Sequence, residues 1–327
     1  MILNFLNKKG REVMIYTSIC EMLGIKYPII QGGMAHISDA KLAAAVSNGG
    51  GLGLISAANG NLEWIEEQID LARTLTDKPF GVNIMLMSQN VDAIAKLVAR
   101  KKVAVVTTGA GNPDKYIPMW KEAGVKVIPV VASCALAKMV ERSGADAVIA
   151  EGGESGGHVG DLTTMALVPQ VCDAVSIPVI AAGGIADGRG IAASFMLGAQ
   201  GVQVGTKFLA SYECTLSRVY KDKVLKAHDT STIVTGKRLG HPVRSIKTAF
   251  SRAYAKAEYT DISDEDLENM AVGTLRAAVV DGDDKRGCFL AGQISGLVNK
   301  EQSASEMVKE MFDEAEIILN GAIKWVK

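Results

Sequence analysis

The chain has 327 residues, 48% hydrophobic and 22% charged, with 35 Lys and Arg against 36 Asp and Glu. This composition supplies a sizeable core and excludes a disordered chain, and without a basic excess nothing drives binding to nucleic acid or anionic lipid. The unusual count is glycine, 34 residues against 8 prolines; with no repeat to suggest collagen or a linker, it points to tight turns or to backbone brought close to a ligand.

The uncharged stretch 42–62 is broken by asparagines and glycines, so no membrane span is expected there. The N-terminal segment lacks the apolar run of a signal peptide. Residues 1–13 read as an extension: GREV just before Met14 is what a translated ribosome-binding site encodes, and Met14 is the expected initiator. The five cysteines, Cys20, Cys134, Cys172, Cys214 and Cys288, form no C-x-x-C pair and are expected to be reduced thiols in a cytoplasmic protein.

From Tyr27 onward, short runs rich in Val and Ile recur at the pitch of a βα unit. They are YPIIQGG (27–33), GLGLIS (51–56), FGVNIM (80–85), VAVVTTGAG (103–111), KVIPVVAS (126–133), AVIAEGG (147–153), IPVIAAGG (177–184) and GVQVGT (201–206). Most lack polar alternation, as strands buried on both faces do. Helical patterns fill the gaps at 39–47, 61–75, 91–100, 114–123, 134–143 and 188–197. Eight such strands predict a (β/α)8 TIM barrel; an open doubly wound sheet would show a G-x-G-x-x-G after the first strand, which is missing. The barrel is expected over 14–211, with a small, mostly helical lid domain inserted after strand eight at 212–290. Residues 291–327 would close the barrel, ending in an amphipathic helix whose apolar stripe runs through Met307, Val308, Met311, Phe312, Ile317 and Ile318.

In a (β/α)8 barrel the active site lies at the C-terminal strand ends, and there the glycines gather. Bare backbone at Gly183, Gly184 and Gly205, with the Thr206 hydroxyl, would suit a phosphate at the ends of strands seven and eight, whereas Asp187 would cap the next helix. Simple turn chemistry is the competing account of the glycines. His158, in the loop EGGESGGHVG (151–160), is the candidate for proton transfer, against a histidine that merely bonds a loop. Glu154 stays open between a loop cap and an orienting group. Asn83 and Gln203 are amides inside apolar runs, costly to bury unpaired; a bound heterocycle or a neighbouring loop would satisfy them. Met34 would pack on a flat ring or fill core. His36 reads as structural or peripheral, His228 as surface, His241 as outside the barrel, and Cys134 as inert. No histidines or cysteines have metal-ligand spacing, so no metal is expected.

QGGMA (31–35), FGVNIM (80–85), TTGAGNP (107–113), EGGESGGHVG (151–160), AAGGIADG (181–188) and QVGTKF (203–208) resemble, in this order, the motifs of the nitronate monooxygenase superfamily. TTGAGNP, LTTMALVPQV (162–171), GHPVR-x-IK (240–247) and AGQISGLV (291–298) look like its flavin-dependent enoyl-acyl-carrier-protein reductases, the FabK branch. The resemblance implies FMN, its phosphate on Gly183, Gly184, Gly205 and Thr206 and its ring near Gly33, Met34, Asn83, Glu151 and Gln203, with Gly156 in a loop closing over it and His158 catalytic. It implies hydride passing from NADH or NADPH to FMN and on to the β-carbon of an enoyl chain carried by acyl carrier protein, with His158 the candidate donor to the α-carbon. It also implies a homodimer and, in some members, a monovalent cation. Glu151 stands where many nitronate monooxygenases carry glutamine, which favours the reductase branch. The rivals are nitronate monooxygenase chemistry in the same barrel, and a non-catalytic flavin or phosphate binder. An IMP-dehydrogenase-like reaction would need a cysteine in the loop after strand six, and none lies there.

Overall fold

Side chains that alternate between two apolar environments build the barrel wall. In the computed structural model, which describes residues 15–59 and 61–325, the strands are β1 (Ile29–Gln31), β2 (Gly53–Ser56), β3 (Phe80–Met85), β4 (Val105–Gly109), β5 (Lys126–Val131), β6 (Val148–Glu151), β7 (Gly157–His158), β8 (Val179–Ala182), β9 (Gly201–Val204), β10 (Thr232–Thr235) and β11 (Val243–Ile246). Eight of them form one parallel sheet in the order β1-β9-β8-β6-β5-β4-β3-β2, and a parallel bridge from Ile30 to Leu52 closes it. The fold is therefore the expected (β/α)8 barrel. The expected extension 1–13 and Met14 lie outside the described residues.

The interior is a plug of Ile30, Leu52, Leu54, Val105, Ile128, Ile149 and Ile180, continued below by Ile19 and Leu23 of the helix Ser18–Leu23. The alternate residues of the same strands face the surrounding helices. Gly53 shows how close that outer layer comes: a Cβ there would lie 1.9 Å from the Ala43 carbonyl oxygen of the helix Ala40–Asn48. Asp39, Asn61, Ser133 and Asp187 cap the helices that follow them through their side chains, so the polar residue before each apolar pattern marks a real start.

Parallel register aligns the strand ends. Ser56 pairs with Asn83 and Asn83 with Thr107; on the other side Glu151 pairs with Ala182 and Ala182 with Gln203. One polar layer thus crowns an apolar plug.

Region 212–290 contains the helices Arg218–Leu225, Ala249–Ala257 and Asp264–Ala271. It also contains an antiparallel hairpin, β10–β11, to which β7 of the barrel's sixth loop adds as a third strand. The closing helix Ala304–Gly321 starts on a capping box of Ser303 and Glu306 and packs on Gly188–Met196, where Glu314 accepts from the Gly188 N–H at 2.8 Å. Its buried stripe holds Met307, Val308, Met311, Phe312 and Ala315, but Ile317 is 72% exposed: it lies off the apolar stripe, on the outward face of the helix. Among the described residues no helix is long and apolar enough to cross a membrane, and all five cysteines are unpaired.

Gly53→Ala is expected to destabilise the protein by about 3 kcal/mol, since neither the Ala43 carbonyl nor the strand can withdraw without moving a packed layer. A urea midpoint unchanged from wild type would show that the helix yields instead.

Candidate active site

The crown of polar strand ends floors a cavity of about 270 Å3 that opens to solvent. Ordinary small-molecule sites hold roughly 300–1,000 Å3, so its enclosed part is about the size of one small-molecule site. All the residues singled out from the sequence, Gly33, Met34, Asn83, Glu151, Gly156, His158, Gly183, Gly184, Gln203, Gly205 and Thr206, line this one cavity. His36 does not, although Ala35 and Ile37 beside it do. Its backbone is left-handed, at φ 61°, and burial, then the Arg276 charge, lowers its pKa.

The glycines divide into two kinds. Gly33 is bare because Asn83 lies against it: a Cβ would come 2.2 Å from the Asn83 Cβ. Gly183 has φ +87° and would place a Cβ 2.7 Å from the Gly152 carbonyl oxygen, so the fold itself requires it. A Cβ on Gly205 would meet only the Met34 side chain, at 3.7 Å. The protein could hold a side chain there, so its absence leaves volume to the cavity. Among the described residues nothing accepts from the N–H groups of Gly184 and Gly205. Thr206 accepts from the Gly292 N–H at 2.9 Å, which leaves its O–H to donate. Two bare amides, a hydroxyl and empty space form a cradle suited to a phosphate.

The amides differ in the same way. Asn83 accepts from the Thr107 hydroxyl at 2.9 Å and reaches the Gly33 carbonyl at 3.5 Å, so the protein satisfies it in part. Among the described residues no protein group bonds the Gln203 side chain, which is only 8% exposed and faces the cavity. Ser56, which also lines it, has a buried hydroxyl with no partner among the described residues, and the Ser155 hydroxyl has only the Glu151 carboxyl near it. Buried polar groups are rarely left so, and two together in one chamber fit a flat, polar-edged ring. The residues present therefore fit FMN: Gly184, Gly205 and Thr206 for the phosphate, and Asn83, Gln203 and Ser56 for the ring's polar edge.

Two titratable groups face the chamber, and their surroundings push them in opposite directions. Burial raises the Glu151 carboxyl to about 7, the Ser155 hydroxyl offsetting part of the rise. His158, exposed toward the mouth, has its pKa lowered by the walls that withhold water and then by His241. Near neutral pH the chamber thus pairs a carboxyl that is still partly protonated with an imidazole that tends to be uncharged, the kind of divergence that separates proton donors from acceptors. Among the described residues no three His, Cys, Asp or Glu side chains gather to hold a metal ion.

Sequence reasoning left Glu154 open; the structure makes it a cap. Its carboxylate accepts from the Thr164 N–H at 3.0 and 2.9 Å and from the Thr164 hydroxyl at 2.9 Å, fixing the start of the helix Thr164–Ala174. It missed Ser56 and Ser155, which look like any strand-end or loop serine until their neighbours are known. It also missed the segment Leu290–Gly292, whose backbone lies against Gly156: a Cβ on that glycine would be 2.7 Å from the Ala291 carbonyl carbon. Tyr254 is buried in the small domain beside Phe250, ring centroids 5.9 Å apart, away from the cavity lining.

The nitronate monooxygenase family model matches residues 17–96 and 86–314. The chain is 33% identical to a Mycobacterium tuberculosis (3aS,4S,5R,7aS)-5-hydroxy-7a-methyl-1-oxo-octahydro-1H-indene-4-carboxyl-CoA dehydrogenase, over 91% of this chain and 96% of that one. It is 37% identical to a probable nitronate monooxygenase of Staphylococcus aureus, over 82% and 88%. Its structure superposes on that of FabK from Thermotoga maritima with a TM-score of 0.93 and 49% identity, covering 95% of this chain and 100% of that one.

Glu151 gives a stability test with a definite sign. Its folded pKa, raised to about 7, lies above the ordinary 4.5, so its contribution is full below pH 4.5 and is lost as pH rises through 7. In flavin-free protein Glu151→Gln is therefore expected to raise stability at pH 8 by up to about 3 kcal/mol and to change it little at pH 4.5. Equal gains at both pH values would mean that Glu151 ionises normally.

Proposed function

The chain belongs to the nitronate monooxygenase family, a family of flavin-dependent oxidoreductases, and on that premise we propose that it is an FMN-dependent enoyl-acyl-carrier-protein reductase. NADH or NADPH would be the electron donor and an enoyl thioester on acyl carrier protein the acceptor. What carries the reading is the likeness to FabK, 49% identical over 95% of the chain, together with an open chamber lined by an acid of raised pKa.

FMN, when bound, would supply the hydride chemistry; the protein supplies placement and protons. Gly184, Gly205 and Thr206 would anchor the phosphate. Asn83, Gln203 and Ser56 would orient the ring over the apolar plug, and Met34, packed beside Gly205, would limit its tilt. His158 sits on the open side, where a second reactant enters. An imidazole N–H there can hydrogen-bond the thioester oxygen on which charge builds, or pass a proton to the α-carbon. Glu151, its carboxyl raised to about 7, is partly protonated at neutral pH on the same chamber wall, a second source for that step. The second reading, oxidation of an alkyl nitronate with His158 as base, is favoured by the Staphylococcus aureus relative.

Two assays on one preparation separate these readings: NAD(P)H oxidation with a crotonyl thioester, and oxygen uptake with a nitronate. The thioester is expected to turn over; turnover of the nitronate alone would overturn the proposal. His158→Ala should keep its flavin and lose on the order of 10²–10⁴ in kcat with the thioester. An unimpaired variant would remove His158 from the chemistry.

The cradle is tested at Gly205, where added carbon meets no backbone. Gly205→Val should fold as wild type by circular dichroism but purify without flavin absorbance. A yellow Gly205→Val would place the phosphate elsewhere. Gly183→Val cannot serve, because its Cβ strikes the Gly152 carbonyl whether or not a ligand binds.

A further inference from the structure

The loop that carries His158 leaves the barrel after β6 and contains five glycines between 151 and 160. Little of its own sequence would hold it still. What holds it comes from the small domain, and Arg244 joins the two at separate points. Its backbone pairs with Gly157, next to the Val243–His158 pair of the same ladder. Its side chain reaches back to the root of the loop, where Nε and Nη2 both donate to the Gly153 carbonyl, at 3.1 and 2.8 Å. The remaining arm, Nη1, donates to the Thr232 hydroxyl of β10 at 3.2 Å. The guanidinium is half-buried and, among the described residues, pairs with no carboxylate within salt-bridge distance. The carboxylate that acts on it electrostatically, Glu154, is committed to Thr164. A charged fork spent on a carbonyl, with no anion to explain it, is a device for geometry.

We propose that Arg244 is a positioning residue for His158: its fork fixes the root of the loop while its backbone fixes the tip, so the imidazole is presented to the chamber at one height. The consequence for function rests on the reductase reading above; the consequence for the geometry of His158 does not. The charged and titratable groups around His158 are Glu151 at the end of β6, Glu154 in its own loop, and His241 and Arg244 on the hairpin. Loosening the loop would carry the imidazole away from the walls and relax the desolvation that holds its pKa down.

The test is the titration of His158 by NMR in full-length protein carrying labelled histidine. There are four histidines; His158→Gln assigns the resonance, and His36 in the barrel's first loop serves as the folded reference. Arg244→Met removes fork and charge, whereas Arg244→Lys keeps the charge and can give only one donor direction at a time. The expected result is a rise of the His158 pKa toward the ordinary value near 6.5 in Arg244→Met, and part of that rise in Arg244→Lys. A rise in Arg244→Met with none in Arg244→Lys would assign the effect to charge and overturn the proposal, as would an unchanged titration in both. If Arg244→Met does not fold, Arg244→Lys decides alone, since only loss of geometry can raise the pKa there. In turnover with the crotonyl thioester, kcat should fall on the order of 10²-fold in Arg244→Met with flavin content unchanged. Failure of the thioester to react at all would overturn the function and leave the titration result standing.

Discussion

A barrel of this kind stands or falls on its seam, because a buried N–H left without a partner costs about 1–3 kcal/mol. Here the seam lies between β1 and β2, and backbone alone does not complete it. Leu52 donates to Ile29 and Gln31 to Leu52, while Gly32 faces the other neighbour and donates to Val204. The next N–H of the second strand, on Leu54, would be stranded in the wall. The Gln31 side chain takes it at 3.0 Å, while its other end donates to the Ser38 hydroxyl at 2.8 Å and to the Gly32 carbonyl. Ser38 in turn accepts from the Met34 N–H at 2.9 Å. One fully buried amide thus closes the barrel and pins the arch that carries Gly33 and Met34 over the mouth. A leucine at 31 would fill the same space, leave the Leu54 N–H without its acceptor and remove one of the bonds that hold the arch.

The chamber follows from that arch. Because Gly33 is held down, Asn83 can lie against it; because Met34 is held in, the volume beside Gly205 stays open. The strand-end layer is polar yet carries no cation. Burial there raises the Glu151 carboxyl to about 7, with no cation among the cavity-lining residues to bring it back down, and Gln203 and Ser56 are left seeking one external partner. A lysine in the same layer would ionise Glu151 and remove the acid. The chemistry of the chamber rests as much on the charges withheld from it as on the groups supplied.

The barrel was legible because two independent signals coincide: β-branched runs set the strands, and glycine pairs mark where three of them, β1, β6 and β8, end. FGVNIM is β3 residue for residue, and Gly183–Gly184 follows β8 directly. His158 was legible because a histidine among five glycines has few structural uses. The hairpin was not. Region 212–290 reads as helical because TIVT and VRSI are only four residues each, too short to show a period against the longer helices around them. β7 is two residues and exists only because β11 lies beside it. Arg244 was beyond reach for the same reason: it acts on Gly153, far along the chain, and no local pattern records that distance.

The glycine surplus and the small domain are two halves of one solution. Backbone that must approach a flat ring or a phosphate has to be bare, and a bare loop loses more conformational freedom on ordering than any other. Ladder bonds, the packing of Gly156 on Ala291 and the bond from Gln293 to the Glu154 carbonyl at 2.9 Å all come to the His158 loop from outside it. A barrel loop of ordinary composition would hold itself and need no such partner, but its side chains would occupy the chamber. The inserted domain allows the loop to be glycine and still be fixed, which explains why its antiparallel strands sit where they can pair with His158.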